Sequence, residues 1–123
     1  MHDYSGALNR FLEALEVAQE NQIPSQVAAA HNNLSIVQLR CGFQIEAIEN
    51  LGKSLELAYD NNSLKNQANA LTNLCLAYAM IGNVDEALDC GTEAIKVWQD
   101  LNEPAGETLA QMHMGQVLSL IHI

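Results

Sequence analysis

The sequence predicts an all-α protein built from repeated pairs of antiparallel helices, and three observations support this prediction. The 123-residue chain is 49% hydrophobic but only 5% aromatic, with two prolines, a composition typical of helices rather than of sheets. Its apolar residues recur three and four positions apart, which is the spacing of one helix face. The same pattern returns every 40 residues, so one helical unit is repeated along the chain.

The period of 40 residues is visible as columns of matching residues. Segments that begin at residues 3, 43 and 83 align without a gap, and each contains an alanine followed by leucine or isoleucine. Ala7, Ala47 and Ala87 therefore share one column, and Gly42 and Gly82 share another. Because small residues let helix axes approach closely, we expect the alanine column to lie at helix crossings.

The first three predicted helices cover about residues 3–20, 24–41 and 44–61. Apolar residues from Ala7 to Ala18 form a stripe along the first helix. Pro24 opens the second helix, because the first residue of a helix has no N–H partner to lose. Gly42 ends it, since glycine adopts the left-handed conformation at little cost. The stripe of the first helix is then repeated in the third.

The last three predicted helices cover about residues 64–81, 84–101 and 104 to the end. Asn61-Asn62-Ser63 supplies side chains that can cap the start of the fourth helix, and Gly82 ends it. An apolar stripe from Ala87 to Trp98 indicates the fifth helix. Pro104 opens the sixth helix, as Pro24 opens the second.

These residues resemble the tetratricopeptide repeat, in which a helix with a central leucine leads through a glycine turn to a helix carrying Glu-Ala-Ile. Two segments carry the resemblance, the first with Asn33-Leu34-Ser35, Gly42 and Glu46-Ala47-Ile48, the second with Asn73-Leu74-Cys75, Tyr78, Gly82 and Glu86-Ala87-Leu88. The resemblance covers residues 3–117. Its period is longer than the usual period of about 34 residues and is similar to that of kinesin light chains and G-protein signalling modulators. It implies a right-handed α-solenoid of about six helices with a continuous core.

Three positions depart from the family pattern. Gly91 stands in the column where Phe11 and Leu51 are large. Gln38 replaces the aromatic residue that the family prefers, and Tyr59 stands near the place of a helix-ending proline. The first complete repeat is therefore expected to match the family less closely than the second.

The resemblance implies four repeat segments, and a separate resemblance concerns the tail. Residues 1–22 are the second helix of a truncated repeat, 23–62 and 63–102 are two repeats, and 103–117 is the first helix of a further repeat. Residues 118–123 resemble the translation of a sequencing adaptor, and we expect them to be non-native. A solenoid normally caps its apolar ends, so the chain is expected to be an internal segment of a longer array or to associate end to end.

The resemblance also implies a function, because the first helices of this family line a concave groove that binds peptides. It places candidate binding residues at Asn32, Asn33, Ile36, Arg40, Asn69, Asn73 and Leu76. Asn33 and Asn73 could pair with a peptide backbone, or could instead bond to the adjacent helix. Arg40 could pair with a ligand carboxylate or with neighbouring acidic helices. A clamp for a C-terminal carboxylate needs two basic residues, so that ligand class is disfavoured.

The remaining sequence features argue against other functions. A formal net charge of −10 repels nucleic acids and anionic membranes, and no stretch is long and apolar enough to cross a bilayer. No nucleophile, phosphate-binding or zinc motif occurs, so no catalytic residue, metal or cofactor is expected. Three cysteines without CxxC spacing favour a reducing, cytoplasmic compartment. The sequence therefore predicts a scaffold that binds a protein or peptide. The alternative is a structural spacer or self-association segment of a larger multidomain regulator.

Overall fold

The computed structural model describes residues 5–121, which form six α-helices and no strand. The helices are α1 (Ser5–Asn21), α2 (Pro24–Arg40), α3 (Gln44–Asp60), α4 (Leu64–Met80), α5 (Val84–Asp100) and α6 (Pro104–Ile121). All six predicted helices are confirmed, and α2 to α5 each end one residue before the predicted end. The predicted start of the first helix at residue 3, and residues 122–123 of the predicted tail, lie outside the described residues.

The turns between helices use two kinds of left-handed residue. Gly42 and Gly82, which follow α2 and α4, have φ angles of +86° and +80°, as their column predicted. The turns after α1, α3 and α5 instead place Gln22, Asn62 and Asn102 at φ angles between 53° and 56°. Each kind of turn thus recurs at its own step of the 40-residue period, which keeps the helix pairs in register.

The helices form two layers that differ in spacing. Consecutive helices pack against each other along the whole chain, and α2 also contacts α4, which contacts α6. Within the described residues, neither α1 and α3 nor α3 and α5 approach each other in this way. We call α2, α4 and α6 the inner helices and α1, α3 and α5 the outer helices. Since the inner helices are closer together, the solenoid curves with these helices on its concave side.

Small residues form the seam between the two layers. Ala47 and Ala87, from the predicted alanine column, are fully buried, and so are Ala68, Ala77 and Ala94. Leucine, valine and tryptophan side chains pack around them in three neighbouring clusters that extend from α2 to α6. The core is therefore continuous across the repeats, as in a solenoid, and each pair of helices depends on its neighbours for burial.

Two of the three departures from the family pattern have a local structural cause. A Cβ atom added at Gly91 would collide with Sδ of Met114 and lie 2.9 Å from Sγ of Cys75. The Met114 side chain thus fills the space that a larger residue takes elsewhere. Gln38, which stands in place of an aromatic residue, accepts a hydrogen bond of 2.8 Å from Nδ2 of Asn50. A polar contact therefore replaces aromatic packing between α2 and α3.

The third departure, Tyr59, links two outer helices. Its hydroxyl group donates a hydrogen bond of 2.8 Å to Oε1 of Glu93, which joins α3 to α5 on the outer surface. Burial, this hydrogen bond and the Glu93 charge together raise the pKa of Tyr59 to about 12, so the phenol remains protonated.

Candidate functional site

A groove of about 450 Å³ lies on the inner helices, where α2, α4 and α6 meet. We call it the central groove. It is lined by Ile36, Leu39, Arg40, Asn73, Leu76, Met80 and Leu109. Five of these residues are apolar, and the side chains of Met80 and Leu109 are 45% and 44% exposed. The groove therefore offers an accessible apolar floor with two polar side chains at its edge.

The structure brings four of the seven candidate binding residues together in the central groove. These four are Ile36, Arg40, Asn73 and Leu76. Asn69 lies beside Asn73 in an adjoining cavity of about 310 Å³. Asn33 lines a separate groove between α1 and α2. Although Asn33 and Asn73 share a sequence column, they therefore lie at different grooves of the solenoid.

Asn32 and Asn73 form a hydrogen bond between two inner helices. Nδ2 of Asn73 donates to Oδ1 of Asn32 across 3.0 Å, and Asn32 itself is buried. The sequence left open whether Asn73 bonds to a peptide or to the adjacent helix. The structure contains a bond from Asn73 to an adjacent inner helix. Its Oδ1 atom has no hydrogen-bond partner among residues 5–121, so the acceptor half of the amide is available to a ligand.

Arg40 lies at the C-terminal end of α2 and is exposed. Within the described part of the chain its guanidinium group has no acidic partner, although the sequence left open an ion pair with neighbouring helices. A cation at a helix C-terminus interacts favourably with the exposed carbonyl groups. The guanidinium group is therefore free to bind a carbonyl or carboxylate group of a ligand in the central groove.

Lys65 and Leu109 are among the residues of this surface that were not in the set of candidates from the sequence. Lys65 lines the adjoining cavity together with Asn69 and Asn73, so Arg40 is not the only basic side chain on this part of the inner surface. Leu109 lines both cavities and shares the sequence column of Asn69. The 40-residue register could have found Leu109, because equivalent positions face the same surface. No sequence signal separates Lys65 from the other exposed lysines.

Two of the cysteines, Cys75 and Cys90, are thiols with little nucleophilic character. Cys41, Cys75 and Cys90 are free, and burial is the main cause that raises the pKa of Cys75 to about 11 and that of Cys90 to about 12. Among residues 5–121, no three His, Cys, Asp or Glu side chains are close enough together to hold a metal ion. None of the described helices combines the length and the apolar character that a membrane span requires.

The repeated helix pairs, the closely spaced inner layer and the groove across it define an α-helical repeat protein. The family model for the tetratricopeptide repeat matches residues 26–100, and the chain belongs to this family, whose repeats generally mediate protein–protein interaction. Residues 1–40 are in addition similar to the family model for anaphase-promoting complex subunit 5. No match to the chain was found among curated proteins.

Proposed function

We propose that the chain is a non-enzymatic scaffold that binds an extended peptide or a helix of a partner protein in the central groove. One observation carries this proposal: an exposed apolar floor and two polar groups that the fold leaves unused converge in a single groove. Leu76 and Met80 form part of the floor, while Oδ1 of Asn73 and the guanidinium group of Arg40 provide the unused acceptor and donors. Peptide-binding grooves generally combine these two kinds of contact.

The groove suggests how such a peptide would be held. An apolar side chain of the partner would pack against Leu39, Leu76 and Met80, which removes apolar surface from water. A backbone N–H group would donate to Oδ1 of Asn73, and Arg40 would donate to a carbonyl or carboxylate group. Because only two polar side chains line the groove, affinity for one short peptide is expected to be about micromolar.

The other candidate residues take different roles in this proposal. Asn69 and Lys65 would contact the part of a partner that extends into the adjoining cavity. Asn32 would act indirectly, since its Oδ1 atom accepts the hydrogen bond that holds the Asn73 amide in place. Asn33 would touch a partner only if the partner crossed from the central groove to the groove between α1 and α2. We further propose a cytoplasmic location, which suits three free thiols.

Peptide selection followed by a pair of matched variants tests this proposal. Phage-displayed peptides would be selected on the purified protein, and the affinity of a selected peptide measured by titration calorimetry. Met80→Glu places a charge in the groove, whereas Ile81→Glu changes the next residue, which is equally exposed and does not line it. We expect Met80→Glu to weaken binding by more than about tenfold and Ile81→Glu to leave it unchanged. Equal affinities for both variants would refute the proposal.

The similarity of residues 1–40 to anaphase-promoting complex subunit 5 favours a second candidate function. The name of that family denotes a subunit of a complex. The chain would then be a structural segment of a larger subunit, with repeats at 23–62 and 63–102 acting as a spacer. An Asn33→Ala/Asn73→Ala variant that folds normally and binds every partner of the parent protein would support this function over groove binding.

A further inference from the structure

The groove between α1 and α2 has a volume of about 440 Å³. We call it the end groove. Phe11, Ala14, Val17, Ala18, Ala30 and Asn33 line it. Ala14 is exposed and Val17 is 54% exposed, so apolar side chains of α1 face solvent here.

The repeat register shows which kind of element covers such a groove. Forty residues later, the corresponding positions Leu51, Ser54, Ala58 and Ala70 are fully buried. They are buried because α2 lies in the groove between α3 and α4. The Ser54 hydroxyl group donates to the carbonyl oxygen of Ala28 across 2.8 Å, and Nδ2 of Asn66 donates to that of Ser25 across 3.3 Å. An inner helix from the preceding repeat therefore fills this groove.

The next repeat shows the same arrangement. In the groove between α5 and α6, the position of Gly91 lies against Sγ of Cys75, and Nε1 of Trp98 donates to the Thr72 hydroxyl group across 2.8 Å. Both Cys75 and Thr72 belong to α4, which is again the preceding inner helix. The groove between an outer helix and the following inner helix thus receives an inner helix twice in this chain.

The face by which α2 and α4 enter these grooves has an equivalent on α6. Among the described residues, nothing covers that face of α6. In α2 this face contains Ala28, Asn32 and Ser35, and in α4 it contains Ala68, Thr72 and Cys75. None of these six residues is more than 8% exposed. The equivalent residues of α6 are Thr108, Met112 and Gly115, which are all exposed, Met112 to 61%. A Cβ atom added at Gly115 would meet no atom within 4 Å. The face lies entirely before residue 118, where the predicted tail begins.

We propose that the end groove binds α6 of a second copy of this chain, so that copies stack head to tail. The register assigns the contacts. Ala14 corresponds to Ser54 and would meet the backbone of Thr108, as Ser54 meets that of Ala28. Ala18 corresponds to Trp98, so it would lie beside Met112, the counterpart of Thr72.

Side-chain size is complementary at a further contact. Phe11 occupies the column of Gly91, and Gly115 occupies the column of Cys75. Within the chain, Gly91 leaves room for Cys75 and Met114. Across two copies, the large Phe11 side chain would face Gly115, which has open space around it. A large residue opposite a glycine gives the close packing that helix–helix contacts require.

This interface joins two different surfaces, so each copy keeps one unoccupied groove and one unoccupied face. Association should therefore produce a series of lengthening oligomers rather than a single dimer. The proposal does not depend on peptide binding in the central groove, because no residue lines both grooves. Either proposal could fail without the other.

Sedimentation velocity over about two orders of magnitude in protein concentration tests the stacking. The weight-average mass of the wild-type protein should rise steadily with concentration. Ala14→Arg places a charge in the end groove and Met112→Lys places one on the α6 face. Both positions are exposed, so the monomer should fold normally. Each variant alone should be monomeric, with an association constant lowered more than about tenfold.

Mixing the two variants gives the decisive measurement. The intact α6 face of Ala14→Arg can enter the intact groove of Met112→Lys, so the mixture should form a one-to-one dimer and nothing larger. Thr92→Arg adds the same charge on an exposed position away from both surfaces and should associate like the wild type. Val17→Lys and Gly115→Lys provide a second pair if circular dichroism shows that a variant is unfolded. A monomeric wild type, or a mixture that does not dimerise, would overturn the proposal.

Discussion

Nδ1 of His31 donates a hydrogen bond of 2.9 Å to Oδ1 of Asn50, which ties α2 to α3. Asn50 in turn donates from Nδ2 to Oε1 of Gln38 across 2.8 Å. The equivalent positions in α4 and α5 hold Leu71, Tyr78 and Cys90. One repeat therefore joins its helices with a polar chain of three side chains where the next uses apolar packing.

Replacing one member of this polar chain should be worse than replacing all three. His31→Leu removes the donor to Oδ1 of Asn50, and we expect the free energy of unfolding to fall by about 1–3 kcal/mol. The triple variant His31→Leu/Gln38→Tyr/Asn50→Cys copies the set from α4 and α5 and should recover most of that loss. Urea unfolding followed by circular dichroism, in reducing buffer, measures both variants. A triple variant that loses as much as the sum of three single variants would contradict the interpretation.

Stability should decrease as the pH falls below about 6.5, the pKa of histidine in the unfolded chain. Burial is the main cause that lowers the pKa of His31 and of His113 in the folded protein. The bond to Asn50 partly opposes the shift of His31, and the Lys53 charge adds to it. Between the lowered pKa and about 6.5, the unfolded chain binds more protons than the folded one, so acid favours unfolding.

Urea midpoints measured from about pH 7.5 to about pH 5.5 check this expectation above the main titration of the carboxylates. The triple variant without His31 provides the control and should lose less stability over the same range. An equal loss in both proteins would show that His31 does not contribute.

An alanine scan of two helical glycines should give effects of opposite sign. Gly52 in α3 has open space around its Cβ position, so Gly52→Ala should stabilise the protein by about 0.5–1 kcal/mol through helix propensity. Gly91→Ala gains the same propensity but collides with Met114 and Cys75, and we expect a net loss of about 1–3 kcal/mol. Thermal unfolding of both variants is the measurement. Stabilisation by Gly91→Ala would mean that Met114 can move aside freely.

The sequence predicts the helices well because their boundaries depend on local chemistry. Gly42, Gly82, Pro24 and Pro104 act within one turn of the chain, and a period of 40 residues repeats their positions. A large residue on one helix that is matched by a small residue on another helix could not be predicted in the same way. Trp98 stands in an alanine column, for example, and fits only because the ring covers the Cα atom of Gly106 on the next helix.

The candidate site could be predicted in part for a related reason. Sequence columns identify equivalent residues, and Ile36 and Leu76, which share a column, line the same groove. They do not show which helix covers each position. Asn73 faces α2 and the central groove, whereas the equivalent Asn33 lies in the end groove, since no described inner helix precedes α2.

The column that contains Asn73 continues to His113, and this pair leads to the last prediction. Nδ1 of His113 is buried and has no hydrogen-bond partner in the part of the chain that the structure describes. Asn73 bonds to Asn32, and the residues forty positions after these two are His113 and Thr72. The Thr72 hydroxyl group, however, donates to the Ala68 carbonyl and accepts from Trp98. An unpaired buried nitrogen atom is unfavourable, so His113→Leu should raise the free energy of unfolding by about 1 kcal/mol.

Asn73→Leu provides the matched control for this substitution. It makes a similar change in the same column but removes the donor to Oδ1 of Asn32, so it should destabilise the protein by about 1–3 kcal/mol. Urea unfolding at about pH 7.5 keeps His113 neutral, because burial lowers its pKa from about 6.5. If both substitutions destabilised the protein equally, the His113 ring would be stabilising through its packing, and the unpaired nitrogen atom would not be its dominant contribution.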